Sequence, residues 1–173
     1  MKRVVQRISR AVRYGCTLGH LRHYRGHGVH SPFVYRVVRE AVMPKREVVG
    51  DDYSLYDTLR SLGVSRKCSA QLQNFFAISG CNSYQVDSEW ADKKGDEQMW
   101  IITTATKPEV IAELPHNTEH YKSVVTIVYP RNNAARYKAT RKAIAEHHGL
   151  SIDNINFVAL LCNDNREKQH IYI

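Results

Sequence analysis

Five residues near the start of the chain have types and spacing that could hold a metal: Cys16, His20, His23, His27 and His30. A structural zinc ion takes thiolate and imidazole ligands at short intervals. Here Gly26 and Gly28 break the helix that would align those ligands, and no second cysteine stands near. Local hydrogen bonding by His27 and His30 within a loop satisfies the pattern better, so no metal site is expected. The Gly26-x-Gly28 pair is not a phosphate loop, because no strand precedes it and no third glycine follows.

The second chemistry is electrostatic. The formal charge of +8 is carried by the first forty residues, which hold nine Lys/Arg against one acid, Glu40. Residues 41–173 hold sixteen bases and sixteen acids and are neutral. Such asymmetry points the basic arm, with Arg3, Arg7, Arg10, Arg13, Arg22 and Arg25, at a nucleic acid, an anionic surface or an acidic protein. Val4, Val5, Ile8, Ala11 and Val12 also fall on one helical face, so a helix packed on the domain with solvated arginines is the competing reading. Arg131, Arg136, Lys138, Arg141 and Lys142 make a second basic face, with the same two readings. The tyrosines among these bases, Tyr14, Tyr24 and Tyr137, are too few for a base-stacking platform.

The acids give less. Asp51, Asp52, Asp87, Glu89, Asp92, Asp96 and Glu97 sit in stretches without apolar pattern, with Lys93 and Lys94 between them, and read as solvated loops. A Ser-His-Asp arrangement has no spacing rule, because such groups meet in space rather than in sequence. Cys16, Cys68, Cys81 and Cys162 form no C-x-x-C pair. Reduced thiols in a cytoplasmic protein are expected, with Cys68 and Cys81 in the core. No apolar run is long enough to span a membrane, and the early arginines interrupt any signal-peptide core.

These residues need elements to hold them. The apolar spacing predicts a helix over 2–14, then an irregular stretch to 30. Ser31-Pro32 opens a helix with Ser as N-cap and Pro at the first position, burying Phe33, Val37, Val38 and Ala41. Helices over 53–62 and 66–79 end at Gly63 and Gly80, and Ser65 caps the second. Strands follow at 84–87, 99–104 and 123–129, with a helix opened by Thr106-Lys107-Pro108-Glu109 between the last two. A helix over 133–147 and strands at 156–162 and 168–173 close the chain. The order is that of a mostly parallel Rossmann-like sheet ending in an antiparallel hairpin. Residues 1–50 form a basic helical arm with its loop, and residues 51–173 an α/β domain.

The string Gly26-His27-Gly28-Val29-His30-Ser31-Pro32-Phe33-Val34-Tyr35 resembles the HG(I/V)HSPFV motif of a bacterial family of class I S-adenosylmethionine methyltransferase-like proteins. Val64-Ser65-Arg66-Lys67 and Glu167-Lys168-Gln169-His170 are weakly similar to later parts of that family. The resemblance implies a class I methyltransferase-type sheet, with His27, His30, Ser31 and Pro32 as its signature loop. It also marks what has changed. The family's acidic-then-glycine string after its first strand corresponds to Gln85-Val86-Asp87-Ser88-Glu89-Trp90-Ala91, which has no glycine. Glycines there let backbone approach a cofactor closely. The family's Asp-Gly-Asn-His strand end corresponds to Ile102-Thr103-Thr104-Ala105-Thr106, and its Asp-Asp pair to Tyr129-Pro130.

The chain is therefore expected to be a shortened, diverged member with no catalytic and no cofactor-binding residues. The expected function is non-catalytic or regulatory, with a partner bound through the arm. An active S-adenosylmethionine-dependent methyltransferase with an atypical cofactor site is one alternative. A small basic nucleic-acid-binding protein is the other.

Overall fold

The computed structural model describes residues 31–88, 98–118, 124–129, 133–162 and 168–173. Ser31 and Pro32 start the first helix, α1 (Pro32–Arg36), as their types require, and Ser31 Oγ accepts from the Val34 N–H at 3.4 Å. The helix then widens into a π-helical turn, Val37–Val42. Val34, Val37, Val38, Ala41 and Val42 are buried there, while Phe33 only packs at the margin.

Two further helices complete this layer, α2 (Ser54–Ser61) and α3 (Arg66–Ser79). Ser65 caps α3 by accepting from Cys68 N–H, and Gly80, in the left-handed region at φ 80°, ends it. The β-branched and aromatic runs supply β1 (Ser83–Val86), β2 (Gln98–Ile102) and β3 (Val124–Val128). Helix α4 (Pro108–Thr118) joins β2 to β3, and α5 (Ala134–Glu146) follows β3, its start capped by Asn133 accepting from Arg136 N–H. The chain then makes β4 (Leu150–Asp153), β5 (Phe157–Leu161) and β6 (Gln169–Tyr172).

These strands form one six-stranded sheet in the order β1-β2-β3-β5-β4-β6. All pairings are parallel except those of β5, which runs against both β3 and β4. The architecture is thus α/β with a mostly parallel sheet, compatible with a Rossmann-like fold. The closing hairpin differs from the expected one. It joins β4 to β5 through Asn154, Ile155 and Asn156, and β6 lies parallel on the far side of β4. The strand β4 carries Ser151 and Asp153 on one face and follows Gly149 directly, so it reads as a polar loop until its partners are in place.

The pleat sorts side chains into two apolar layers. Met99, Ile101, Ile152, Phe157 and Ala159 meet α1, α2 and α3 on one face. Trp100, Ile102, Val125, Ile127, Val158 and Leu160 meet α4 and α5 on the other. Cys68 is buried in the first layer and Cys81 packs against it. No helix among the described residues is long and apolar enough to cross a membrane.

Helix α3 buries polar as well as apolar residues, and its amides organise the irregular chain above it. Asn74 accepts from Val49 N–H at 2.8 Å and donates to Glu47 O at 2.9 Å. Gln73 accepts from Tyr56 N–H at 2.9 Å, and Gln71 donates to Val42 O at 3.0 Å while accepting from Asn156 Nδ2 at 2.7 Å. Asn74→Ala therefore leaves two backbone groups of the 43–53 connection without their partner. The expected cost is about 1–3 kcal/mol, read as a lower urea midpoint at unchanged denaturant slope.

Candidate functional site

Open α/β sheets of this kind hold ligands beyond the carboxyl ends of their parallel strands. Two polar clusters lie at such ends, and α5 supplies an arginine to each.

The first cluster closes β1 and β2. Asp87 follows β1 directly and turns the chain with a left-handed backbone, φ 49°, its N–H donating to Ile101 O at 3.0 Å. Aspartate tolerates that region better than most residues, though glycine does so without cost. Thus the tight turn that the resemblance assigns to glycine is made by Asp87 itself. Its carboxylate accepts from Thr103 N–H at 2.7 Å and from the hydroxyls of Thr103 and Thr106. Both carboxylate oxygens are engaged by the loop after β2.

Arg136 grips the same loop from the other side. It is 1% exposed, and its guanidinium donates to the carbonyls of Ile102, Thr103 and Thr106. Burial pulls its affinity for a proton below the ordinary value, and the charge of Asp87 works in the opposite direction. An arginine can enter such a place because its planar fork satisfies several carbonyls at once.

The second cluster lies at the outer part of the sheet, on the α5 side. Parallel pairing sets Ser151 opposite His170 and Asp153 opposite Tyr172. Ser151 Oγ and His170 Nδ1 are 2.7 Å apart, and His170 Nε2 is 3.7 Å from Asp153 Oδ2. Arg141 Nη1 donates to Asp153 Oδ2 at 3.1 Å and Nη2 donates to Tyr172 Oη at 2.9 Å. The order serine, imidazole, carboxylate is that of a nucleophilic triad. Ser151, however, is 2% exposed, and its hydroxyl also reaches Gln169 O at 3.3 Å. A nucleophile must meet its substrate, so this group is a tie between two strands.

The residues expected to matter divide accordingly. His27, His30, Arg3, Arg7, Arg10, Arg13, Arg22 and Arg25 lie outside the described residues, as do Cys16, His20, His23 and the predicted helix over 2–14. Ser31 and Pro32 begin α1, and no group of metal-binding residues occurs among the described residues. Of the second basic face, Arg131 lies outside the described residues and Lys138 and Lys142 are exposed. Arg136 is buried, Arg141 is paired with Asp153, and Lys142 lies 3.8 Å from Glu146. Asp87 and Asp52 are likewise not simply solvated. Asp52 accepts from Ser54 N–H at 2.9 Å, and that bond, with the Ser54 hydroxyl, holds its carboxyl below the usual range. The signal for Arg136 was its position: it shares a helical stripe with the buried Ala139, Thr140 and Ala143.

Asp87→Ala removes the loop's acceptor and leaves a left-handed backbone on a residue that disfavours it. It should cost about 1.5–3 kcal/mol, as for hydrogen bonds to a charged group. Asp87→Gly loses the same bonds but relieves the backbone, so it should be about 1 kcal/mol less damaging. Chemical denaturation of the two variants side by side measures the difference.

No protein-family model, curated protein or solved structure matches the chain.

Proposed function

We propose that the chain is a non-catalytic, methyltransferase-like protein that binds an anionic partner through its basic N-terminal arm. One observation supports the first half most directly. At the ends of β1 and β2, the carboxylate of Asp87 and the guanidinium of Arg136 are both engaged by the chain's own loop. A class I site uses that region for cofactor. An acid there must be available to a ligand, and backbone must be approachable beside it. The mostly parallel six-stranded sheet is compatible with the resemblance carried by residues 26–35.

The second half rests on charge. Of the nine bases in the first forty residues, Arg36 is paired with Glu40 at 3.0 Å. Lys2, Arg3, Arg7, Arg10, Arg13, Arg22 and Arg25 all precede α1, while the body is neutral. Bases in that number attract a polyanion through counterion release, whatever its sequence.

Calorimetry with S-adenosylmethionine and S-adenosylhomocysteine tests the non-catalytic reading. No binding is expected at physiological concentrations. A dissociation constant below about 50 μM, more than about 5.9 kcal/mol of binding, would favour the active-enzyme alternative.

The arm is tested by removing residues 1–25. The full chain should be retained on heparin at about 50 mM salt and released as salt rises, each neutralised phosphate adding about −0.7 to −0.9 to the log–log slope. The shortened chain should pass through. A full chain that ignores heparin would leave the packed-helix reading in its place, and a preference for RNA or DNA over heparin would favour the nucleic-acid-binding alternative.

A further inference from the structure

The corner where α5 hands over to β4 buries an imidazole with one ring nitrogen unmatched. His147 follows α5 directly, and its backbone N–H donates to Ala143 O at 3.0 Å. The residue is 3% exposed. Among the described residues its Nε2 has no hydrogen-bond partner, and the atom is closed to solvent. A buried nitrogen in that position is costly as a bare acceptor and far more costly as a charged donor.

Four elements meet around this ring. β4 and β5 turn backbone towards it, the carbonyls of Leu150 and Leu161. The ionisable groups on its other sides are His148, next in the chain, and Lys168, immediately before β6. Glu146, the last residue of α5, carries its carboxylate to Lys142, 3.8 Å away. Among the described residues the ring is therefore faced by bases. Lys168 also ties the corner together, its Nζ donating to Ala145 O in the last turn of α5. Beside it, Gln169 N–H donates to Gly149 O at 3.0 Å.

We infer that His147 is an acid-sensitive latch: the corner joining α5, β4 and β6 is closed while its imidazole is neutral and opens when the ring takes up a second proton. This inference is independent of what the arm binds.

The direction follows from the surroundings. A second proton puts a cation where water does not reach, leaves a charged donor without an acceptor, and sets it beside Lys168. Burial is the largest influence and holds the ring below its ordinary value of 6.5. The carbonyls of Leu150 and Leu161 oppose it, though neither meets Nε2 as a hydrogen-bond partner, and His148 and Lys168 add to it. Once the corner opens, water reaches the ring and the proton is held at the ordinary value. A base whose value is depressed in the closed state leaves that state unaffected well above 6.5. The closed state loses ground as pH falls below 6.5 towards the depressed value.

The test is hydrogen–deuterium exchange of the full chain, read on the peptide covering residues 143–152 and corrected for intrinsic rates. Between about pH 7.5 and about pH 5.5 opening should become several-fold more favourable, about tenfold being the limit for one proton over that interval. His147→Gln should flatten this dependence, and His148→Gln should leave most of it. Protection that is equal at the two pH values, or greater at the lower one, would overturn the inference on the unaltered chain alone. So would a dependence that survives His147→Gln. Ring-nitrogen NMR of the unaltered chain reads the same latch without a variant. The His147 ring should still be mostly neutral at pH 6.5, and half-protonation there or at any higher pH would sink the idea.

Discussion

The arrangement of the helical layer depends on burying the polar side of α3. That helix lies under α1, α2 and the 43–53 connection and packs over the sheet, so Ser69, Gln71, Gln73 and Asn74 have no route to solvent. Buried amides are tolerated only when their donors and acceptors are met. Gln71, Gln73 and Asn74 meet them with backbone groups of Val42, Tyr56, Val49 and Glu47. The relation is reciprocal, since the irregular connection lacks a ladder of its own and would otherwise bury unsatisfied peptide groups. Gln71 extends the network across the layer to Asn156, in the turn between β4 and β5. Apolar contact would hold these parts together; the amides fix where they stand.

The same helix α5 governs both polar clusters on the other face. Arg136 and Arg141 stand five residues apart, one reaching the loop after β2 and the other the pair β4 and β6. Each guanidinium is matched with a carboxylate on the sheet, Asp87 or Asp153. The positions where a nucleotide-binding sheet offers polar groups to a ligand are thereby used to lock helix to sheet.

Much of the fold was legible because local rules and packing agree. Ser31, Ser65 and Gly80 do at the helix ends what their chemistry favours, and MWII and VVTIV form strands because β-branched and aromatic side chains fill a buried pleat. The strand Leu150–Asp153 was hidden because its alternation is only four residues long and its polar half is satisfied by groups elsewhere in the chain. Pairing order was hidden for the same reason. Nothing local in residues 168–173 says that their neighbour is β4 rather than β5. Arg136 and Asp87 were obscured by company, one in a basic helix and the other at the edge of an acidic stretch. Their roles follow from contacts separated by sixteen to thirty-four residues, which composition does not report.

The antiparallel strand β5 has a consequence for how the chain is made. It is the fifth strand in sequence but the third-from-last in space, wedged between β3 and β4. While a ribosome is still making the residues after Val128, β3 has its final neighbour on one edge only. At about 5–20 residues per second, the 33 residues from Val128 to Leu161 take roughly 2–7 s to add. During that interval a strand that is apolar but for Thr126 presents an open edge, the kind of surface that recruits other chains. The nascent protein is thus most vulnerable late in synthesis, and a chaperone that shields β3 would matter more than one that acts on the helical layer, whose parts are complete by Ser79.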